Sequence, residues 1–372
     1  MDYLPFSNVL QNTYDVKSVT NTDIKRSVVY TTVRDFCLRS KSKTFVVSLS
    51  GGVDSMVLLY VIHHIGFDCI AVHINYNNRD ETGMEQHFLE EWCKHNGIRI
   101  YVESITDINR NEKSNINRHE YEIETKKIRF NLYKKVHEEY KNTTDTEASS
   151  ILLGHHKDDT VENVLINICR ARSILNLAVI QENAIIEGVN ISRPLVNVYK
   201  RDIYEIAHQN EIPYFKDTTP LWSVRGIFRN RIMPSLHTAF KHNIKENLLK
   251  VNEQTSEWNE LIQKAIIEPF LQNACVFDKD TVVLSIDETH RSYPFCFWNV
   301  VFMKVFYRYH HNCPSNKSVM MFMNFINTRK NGKFSLSNKC CCFLEHNKFS
   351  IYYNLNGYNQ NQHIVKQRNR II

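Results

Sequence analysis

One short motif limits the fold of this chain more than any other feature. A β-rich apolar run at residues 44–49 leads directly into Ser50-Gly51-Gly52-Val53-Asp54-Ser55, and an apolar helical run follows at 56–62. A glycine pair between a buried strand and a helix lets the backbone approach a ligand closely, and the amide groups at the helix start point outward as an anion site. The motif therefore predicts a phosphate-binding loop, although no Gly-Lys-Ser/Thr triplet ends it as in a Walker loop.

Strands and helices alternate on both sides of this loop. Further β-rich runs at 69–75, 98–103 and 150–154 are separated by helical stretches, which predicts an α/β fold with a parallel sheet and ligands at the carboxyl ends of its strands. From about residue 240 we expect helices without intervening strands, followed by a hairpin. The expected divisions are an N-terminal extension at 1–40, the α/β domain at 41–238, a smaller mainly helical domain at 239–330, and a hairpin with a loose tail at 331–372.

Bulk composition is that of a globular protein. The chain has 372 residues, 42% of them hydrophobic, and a formal charge of +6 that permits a polyanionic partner without requiring one. No apolar stretch reaches the length of a membrane span, and the start of the chain lacks a signal pattern. Ten cysteines occur without a Cys-x-x-Cys pair, which favours reduced thiols. We expect a cytoplasmic protein without membrane contact, and the sequence indicates no oligomeric state.

Asp54 is the exceptional member of the loop. Ser50 and Ser55 add hydroxyl groups to the anion site, but a carboxylate beside bound phosphates is repulsive unless Mg²⁺ lies between them. The loop therefore predicts a nucleotide with its metal. The alternative is that the two glycines only make a tight turn. The complete arrangement of strand, loop and helix favours the nucleotide site.

A second polar block follows the fourth strand. It reads Gly154-His155-His156-Lys157-Asp158-Asp159-Thr160-Val161-Glu162-Asn163. Asp159 and Glu162 share one face of the predicted helix, and both histidines precede that helix at the ligand edge of the sheet. Acidic residues also stabilise the first turn of any helix by about 0.3–1 kcal/mol each. That effect alone does not explain why the block faces the phosphate loop.

These blocks resemble the PP-loop ATP pyrophosphatases, which carry SGGxDS at this position and cleave ATP between the α and β phosphates to adenylate a carbonyl oxygen. Within them, the order of the blocks resembles the tRNA(Ile)-lysidine synthetase family. The matching positions are His73 with Arg79, Arg129-Phe130, the block from His155 to Asn163, Arg170, Arg193-Pro194-Leu195, Ile212-Pro213-Tyr214 with Asp217, and Arg225 with Phe228-Arg229-Asn230-Arg231-Ile232.

The resemblance implies a reaction and a set of residues. ATP would adenylate the C2 carbonyl oxygen of the wobble cytidine in a tRNA with a CAU anticodon, and free L-lysine would then displace AMP. The implied ATP-binding residues are Ser50, Gly51, Gly52, Val53, Asp54, Ser55 and His73, with Mg²⁺ at Asp54. The implied catalytic residues are Asp54, His155, His156, Asp159 and Glu162, of which Asp159 and Glu162 would bind lysine. Contacts to tRNA or phosphate are expected from Arg79, Arg129, Arg170, Arg193, Arg225, Arg229, Asn230 and Arg231, and the helical domain at 239–330 is expected to bind substrate or tRNA.

Two alternatives remain open. Departures from the family pattern leave room for another base or another donor, such as the sulfur used by a thiolase, although the cysteine-dependent thiolases carry Cys-x-x-Cys pairs. A non-catalytic RNA- or nucleotide-binding relative is the second alternative. The departures are Asn75, Tyr76, Asn78, Asn163 and Ala171, whereas Ser50, Asp54, Ser55, Asp159 and Glu162 are intact and favour an enzyme.

Overall fold

The computed structural model describes residues 24–40, 42–78, 80–106, 118–141, 150–217, 219–338 and 340–353. Contacts divide these residues into two compact units. The first comprises the described residues up to 172 together with 176–253, and the second comprises 173–175 and those from 254 onward. The division lies beyond the expected position at 238, because Leu248 packs in one apolar cluster with Val161 and Phe228 of the first unit.

The first unit is built on a six-stranded sheet with the order β3-β2-β1-β4-β6-β5. All neighbouring strands are parallel except β5 and β6, which form an antiparallel pair. The α/β fold class is therefore confirmed. The elements are α1 (Val28–Ser40), β1 (Thr44–Ser48), α2 (Val53–Ile65), β2 (Asp68–Asn75), α3 (Thr82–His95), β3 (Arg99–Ser104), α4 (Arg118–Lys141), β4 (Ile151–Leu152), α5 (Lys157–Cys169), β5 (Asn183–Ile186), β6 (Val189–Ser192), α6 (Lys200–Gln209), α7 (Val224–Ile227), a π-helical segment (Phe228–Ile232) and α8 (Met233–Phe240).

Both faces of this sheet are covered. Alternate side chains of β1 enter different cores, since Phe45 and Val47 pack with α1, α2 and α6, whereas Val46 packs with Tyr133 and Val136 of α4. Helix α1 was expected to belong to an extension at 1–40, but its Val29 is fully buried in the first of these cores. The described residues 28–40 are therefore part of the α/β unit.

The position of β1 determines where a ligand can bind. β1 lies between β2 and β4, so the chain passes to opposite sides of β1 after α2 and after α4. Such a reversal of strand order leaves a crevice at the carboxyl ends of the strands, which is where open α/β sheets bind ligands. The loop that follows β1 and the block that follows β4 therefore meet at one edge.

The second unit is helical with an antiparallel five-stranded sheet of order β7-β8-β11-β10-β9. The sequence predicted its longer helices and a two-stranded hairpin at 332–354, where the structure has the three strands β9, β10 and β11. It did not predict β7 and β8, which are short strands joined by a polar turn. Its elements are α9 (Ile244–Ile262, which starts in the first unit), a π-helical segment (Gln263–Ile267), α10 (Glu268–Asn273), β7 (Cys275–Phe277), β8 (Thr281–Ser285), α11 (Glu288–Arg291), α12 (Phe295–Arg308), α13 (Asn316–Asn327), β9 (Gly332–Phe334), β10 (Cys341–Glu345) and β11 (Lys348–Tyr352). The tail expected to be loose, beyond 353, lies outside the described residues.

Membrane-spanning helices are absent from the described part of the chain, where no helix is both long and apolar enough to cross a bilayer.

Candidate active site

The loop after β1 requires glycine at its first turn. Gly51 has φ +79°, a backbone conformation that side chains disfavour. A Cβ atom at Gly51 would lie 2.4 Å from Cδ2 of Phe215, and the Phe215 amide donates a hydrogen bond of 2.9 Å to the Gly51 carbonyl. The Phe215 segment therefore closes one side of the loop and fixes its shape.

The serine hydroxyls of the loop hold its backbone. Ser55 Oγ donates to the Gly52 carbonyl at 3.0 Å and accepts from the Ser50 amide at 3.2 Å. Ser50 Oγ lies 3.1 Å from Ser55 Oγ and accepts from the Gly52 amide at 3.3 Å. The two hydroxyl groups therefore shape the loop, and the backbone amides at the start of α2 are the groups suited to bind an anion.

Lys200 is the residue that sequence reasoning missed. Its Nζ lies 2.6 Å from Oδ1 and 2.6 Å from Oδ2 of Asp54, and both side chains are about one quarter exposed. Lys200 is the first residue of α6, 146 positions after Asp54. No local pattern marks it, because its role depends on the fold bringing the start of α6 to the start of α2.

His156 connects the two sequence blocks. A Cβ atom at Gly154 would lie 3.0 Å from the carbonyl carbon of Asp54, so the chain leaving β4 runs directly against the start of α2. The side chain of His156 is 5% exposed, and its Nε2 lies 3.6 Å from Oδ1 of Asp54 and 3.4 Å from Oδ2 of Asp159. The structure thus brings the phosphate loop and the acidic block into one site.

Asp158 anchors the neighbouring helices. It accepts hydrogen bonds from the Lys245 ammonium and, at 2.8 Å, from the Lys200 amide. Burial by itself would raise the pKa of Asp158, but these two partners bring it below its usual 3.8. Asp158 therefore remains ionised and holds Lys200 at the beginning of α6, close to Asp54.

Glu162 is a buried carboxylate between two arginines. It is 3% exposed, and its Oε2 accepts a hydrogen bond of 2.9 Å from Nε of Arg229. Nε of Arg225 lies 2.9 Å from Oε1, yet this oxygen makes no well-aligned hydrogen bond. Arg229 also contacts Asp217 at 3.0 Å and Asp159 at 3.6 Å. Arg229 belongs to the π-helical segment, a distortion that often occurs at functional sites.

Two nitrogen-rich side chains lie beside the acidic block. His155 is half-buried, and Arg193 is buried. Burial lowers the pKa of His155 from its usual 6.5, an effect that the nearby Asp159 partly opposes, and its Nδ1 is buried without a hydrogen-bond partner. Arg193 is 5% exposed and donates to the Gln181 carbonyl at 2.8 Å, while its Nε has no hydrogen-bond partner among the described residues. Each of these two buried nitrogen atoms therefore has an unused hydrogen-bonding capacity.

Other expected residues lie farther from the cluster. His73 is buried, and its Nδ1 is 2.8 Å from the Leu49 carbonyl, which places it beneath the loop. Arg129 lies beside the ring of Phe130. Arg170 is exposed at the opposite end of α5 from His156, about 20 Å away along the helix axis. The structure does not bring Arg170 to the loop, because α5 points away from the sheet edge.

The remaining three residues have different placements. Asn230 uses its side-chain amide within its own helix, donating to the Gly226 carbonyl at 2.7 Å. Arg231 is exposed. Arg79 lies outside the described residues. The expected contacts of these residues with tRNA remain predictions.

The donor set around Asp54 limits how a metal ion binds. No group of three or more His, Cys, Asp or Glu side chains within the described ranges is arranged to hold a metal ion. Mg²⁺ usually keeps several waters and binds one or two carboxylates together with phosphate oxygens. Asp54 fits that mode, provided that Lys200 shares or releases one carboxylate oxygen.

This loop, sheet order and acidic block define a nucleotide-binding PP-loop protein. The PP-loop domain family matches residues 22–236, which include the loop, the acidic block, Lys200 and both arginines that contact Glu162.

Relatives of this chain narrow the assignment. The tRNA(Ile)-lysidine synthase of Chlamydia felis is 30% identical over 247 residues, covering 66% of this chain and 73% of the relative. That of Chlamydia pneumoniae is 28% identical over 62% of this chain and 69% of its own length. That of Mycoplasmopsis pulmonis is 28% identical over 79% of this chain and 94% of its own length. The chain therefore belongs to the tRNA(Ile)-lysidine synthase family within the PP-loop proteins.

Proposed function

We propose that this protein is a cytoplasmic ligase that uses ATP and free L-lysine to convert the wobble cytidine of a CAU-anticodon tRNA(Ile) into lysidine. The observation that supports this most directly is the position of His156 between Asp54 of the phosphate loop and Asp159 of the acidic block. Because one imidazole touches both carboxylates, the group that handles phosphate and the groups that would handle an amine face the same space. Adenylation and amine attack both require that proximity.

The nucleotide would bind with its phosphates on the amides at the start of α2. Asp54 would hold Mg²⁺, which when bound neutralises phosphate charge. When Mg²⁺ takes its place on Asp54, the ammonium of Lys200 would move to the pyrophosphate leaving group. The carbonyl oxygen of cytosine would attack the α phosphorus, the bond to the β-phosphate oxygen would break, and pyrophosphate would leave. Lys200 thus keeps Asp54 neutralised before ATP arrives and stabilises the departing charge afterwards.

The lysine substrate would bind at Asp159 and Glu162. Each carboxylate oxygen of Glu162 faces an arginine, so an incoming ammonium has to replace one of the two arginines. Arg225 is the candidate for release, because its side chain is 54% exposed and its approach to Oε1 is poorly aligned. Arg229, which also contacts Asp159 and Asp217, would stay. Movement of Arg225 toward an RNA phosphate would then couple tRNA binding to the opening of the lysine site.

Proton removal is the remaining requirement of the reaction. A free lysine amine has a pKa of about 10.4 and is almost entirely protonated at neutral pH. Burial lowers the pKa of His155, so its ring is neutral at pH 7 and would accept the proton that the lysine nitrogen loses as it bonds to C2. The neutral amine would attack C2 of the adenylated cytosine, and AMP would leave with the oxygen that ATP had activated.

The test of this function uses the complete chain with ATP, Mg²⁺, labelled lysine and a transcript that carries CAU. Label entering RNA together with pyrophosphate release supports the proposal. Pyrophosphate release without lysine transfer would point instead to another donor, which includes sulfur in a thiolase. Failure of both with a folded protein would indicate a non-catalytic relative. A transcript with CAC in place of CAU is the control for the anticodon.

A further inference from the structure

Trp222 is exposed on a short loop beside the active site. Its relative exposure is 67%, and that of the preceding Leu221 is 71%. Neither residue belongs to the sequence blocks discussed above. A tryptophan and a leucine exposed at adjacent positions form a small apolar surface, and an aromatic ring in such a surface is suited to contact with a flat partner.

The loop that presents Trp222 is fixed rather than loosely extended. The Ser223 amide donates to the Pro220 carbonyl at 2.9 Å, and the Ser223 hydroxyl caps α7 by accepting from the Gly226 amide at 3.0 Å. A Cβ atom at Gly226 would lie 2.1 Å from the Pro220 oxygen and 2.9 Å from Cα of Leu221. Glycine at 226 therefore lets the loop press against the helix start, which restrains the backbone that carries Trp222.

Trp222 is close in the chain to a residue that contacts the acidic block. Arg225 follows three residues later and contacts Glu162, so the Cα atoms of Trp222 and Arg225 are at most about 11 Å apart. Cationic residues precede and follow the loop in the sequence, at Lys216, Arg225, Arg229 and Arg231. An exposed indole with cationic residues close to it in the chain is suited to single-stranded nucleic acid, since the ring can stack on bases and the cations can meet phosphates.

We propose that Trp222 is a stacking platform for an unpaired RNA base that neighbours the base being modified. This inference rests on the proposed function and adds a binding site to it. The indole would stack on a purine or a pyrimidine, because every base has a flat aromatic face. The base to be modified would enter the site beside Glu162. Leu221 would cover the edge of the stacked base.

The experiment measures binding of a fluorescently labelled anticodon stem-loop with CAU by anisotropy, at several salt concentrations. Trp222→Leu, which keeps apolar volume but removes the aromatic face, should bind on the order of tenfold more weakly. Trp222→Tyr should recover most of that loss. The slope of log Kd against log salt should be the same in Trp222→Leu as in the wild type, because stacking neutralises no phosphate. Ile185→Ala removes an apolar side chain of similar exposure, 75% accessible, from β5 and should bind like the wild type.

The outcomes separate this inference from the proposed function. If the wild type transfers lysine and folded Trp222→Leu binds RNA equally well, the stacking platform is wrong and the function stands. If wild-type RNA binding depends on Trp222 but no lysine is transferred, the platform stands and the function is wrong. Self-association of the wild type that disappears in Trp222→Leu would assign the side chain to an interface between copies and overturn the RNA assignment.

Discussion

The ammonium of Lys200 lies 2.6 Å from each carboxylate oxygen of Asp54, across the crevice at the end of β1. This pair neutralises the only acidic side chain of the loop before a nucleotide is present. It also means that binding of ATP with a metal ion is an exchange, in which a cation already on Asp54 is shared or replaced.

Replacing Lys200 should damage the first half-reaction. Lys200→Met should lower tRNA-dependent pyrophosphate release by about 10²-fold, because one cation that stabilises the leaving phosphates is lost. Arg201→Met is the matched control, since Arg201 is the next residue but is 81% exposed and contacts Asp202 and the ring of Tyr199 rather than Asp54. Equal rates in the two variants would remove Lys200 from the nucleotide site.

Asp54→Ala should abolish pyrophosphate release, because the variant loses both the carboxylate that would hold the metal ion and the partner that positions Lys200. The measurement is pyrophosphate formed with ATP, Mg²⁺ and the CAU transcript. Asp54→Asn preserves shape but not charge and should be nearly as inactive. Normal turnover in either variant would be incompatible with the proposed role of the loop.

Glu162→Ala should separate the two half-reactions. Adenylation uses the loop, whereas lysine is proposed to bind at Glu162, so lysine transfer should fall at least about tenfold more than pyrophosphate release. Both products are measured in the same reaction, with labelled lysine at several concentrations. An equal loss of both would mean that Glu162 serves mainly to hold Arg225 and Arg229 in place.

The parts of this site that follow from local sequence were predictable. Strand β1, the glycine pair and the helix after it form a continuous pattern, and the sheet order then brings the block after β4 beside them. The fourth strand was expected at 150–154 but is limited to Ile151–Leu152. The chain leaves the strand early because Gly154 has to pass against Asp54.

Pairings between distant residues were not predictable from the sequence. Lys200 has no motif of its own, and its partner lies 146 residues earlier. The arginine contacts of Glu162 likewise come from a helix more than sixty residues later. Strands β7 and β8 were missed because each is short and a polar turn, Asp278 to Asp280, interrupts the apolar pattern between them.

A buried and a half-buried histidine, His73 and His155, should make the folded protein less stable in acid. Burial lowers the pKa of His73 and of His155 from the usual 6.5. Their stabilising effect is complete above pH 6.5 and is lost as the pH falls toward the lower pKa of the folded state, because the unfolded chain then binds more protons. Each group changes the free energy of unfolding by at most about 1.4 kcal/mol per pH unit.

Urea unfolding between pH 7.5 and about pH 5 measures this effect. His155→Gln should reduce the slope of stability against pH in that window, and a second substitution at His73 should reduce it further. His87→Gln removes an exposed imidazole and is the matched control. A slope in His155→Gln as steep as in the wild type would show that His155 is not held neutral by the fold.

Gly51→Ala should destabilise the protein for two separate reasons. The positive φ at residue 51 costs about 1 kcal/mol for a residue with a side chain. The new methyl group would also meet the ring of Phe215 at 2.4 Å, and this ring is confined because it packs edge-on against Phe88 at 5.5 Å. Overpacking of this kind adds about 1–3 kcal/mol. Urea unfolding gives the total change in the free energy of unfolding.

Gly66→Ala separates the two contributions. Gly66 has φ +102° at the end of α2, the helix that follows the loop of Gly51. A Cβ atom at Gly66 would meet nothing within 4 Å, so this variant shows the cost of the backbone conformation alone. Gly51→Ala should therefore be the less stable of the two, and it should also bind ATP more weakly, because relief of the clash moves the loop away from the Phe215 segment. Equal stability and equal ATP affinity in the two variants would mean that Phe215 does not fix the shape of the loop.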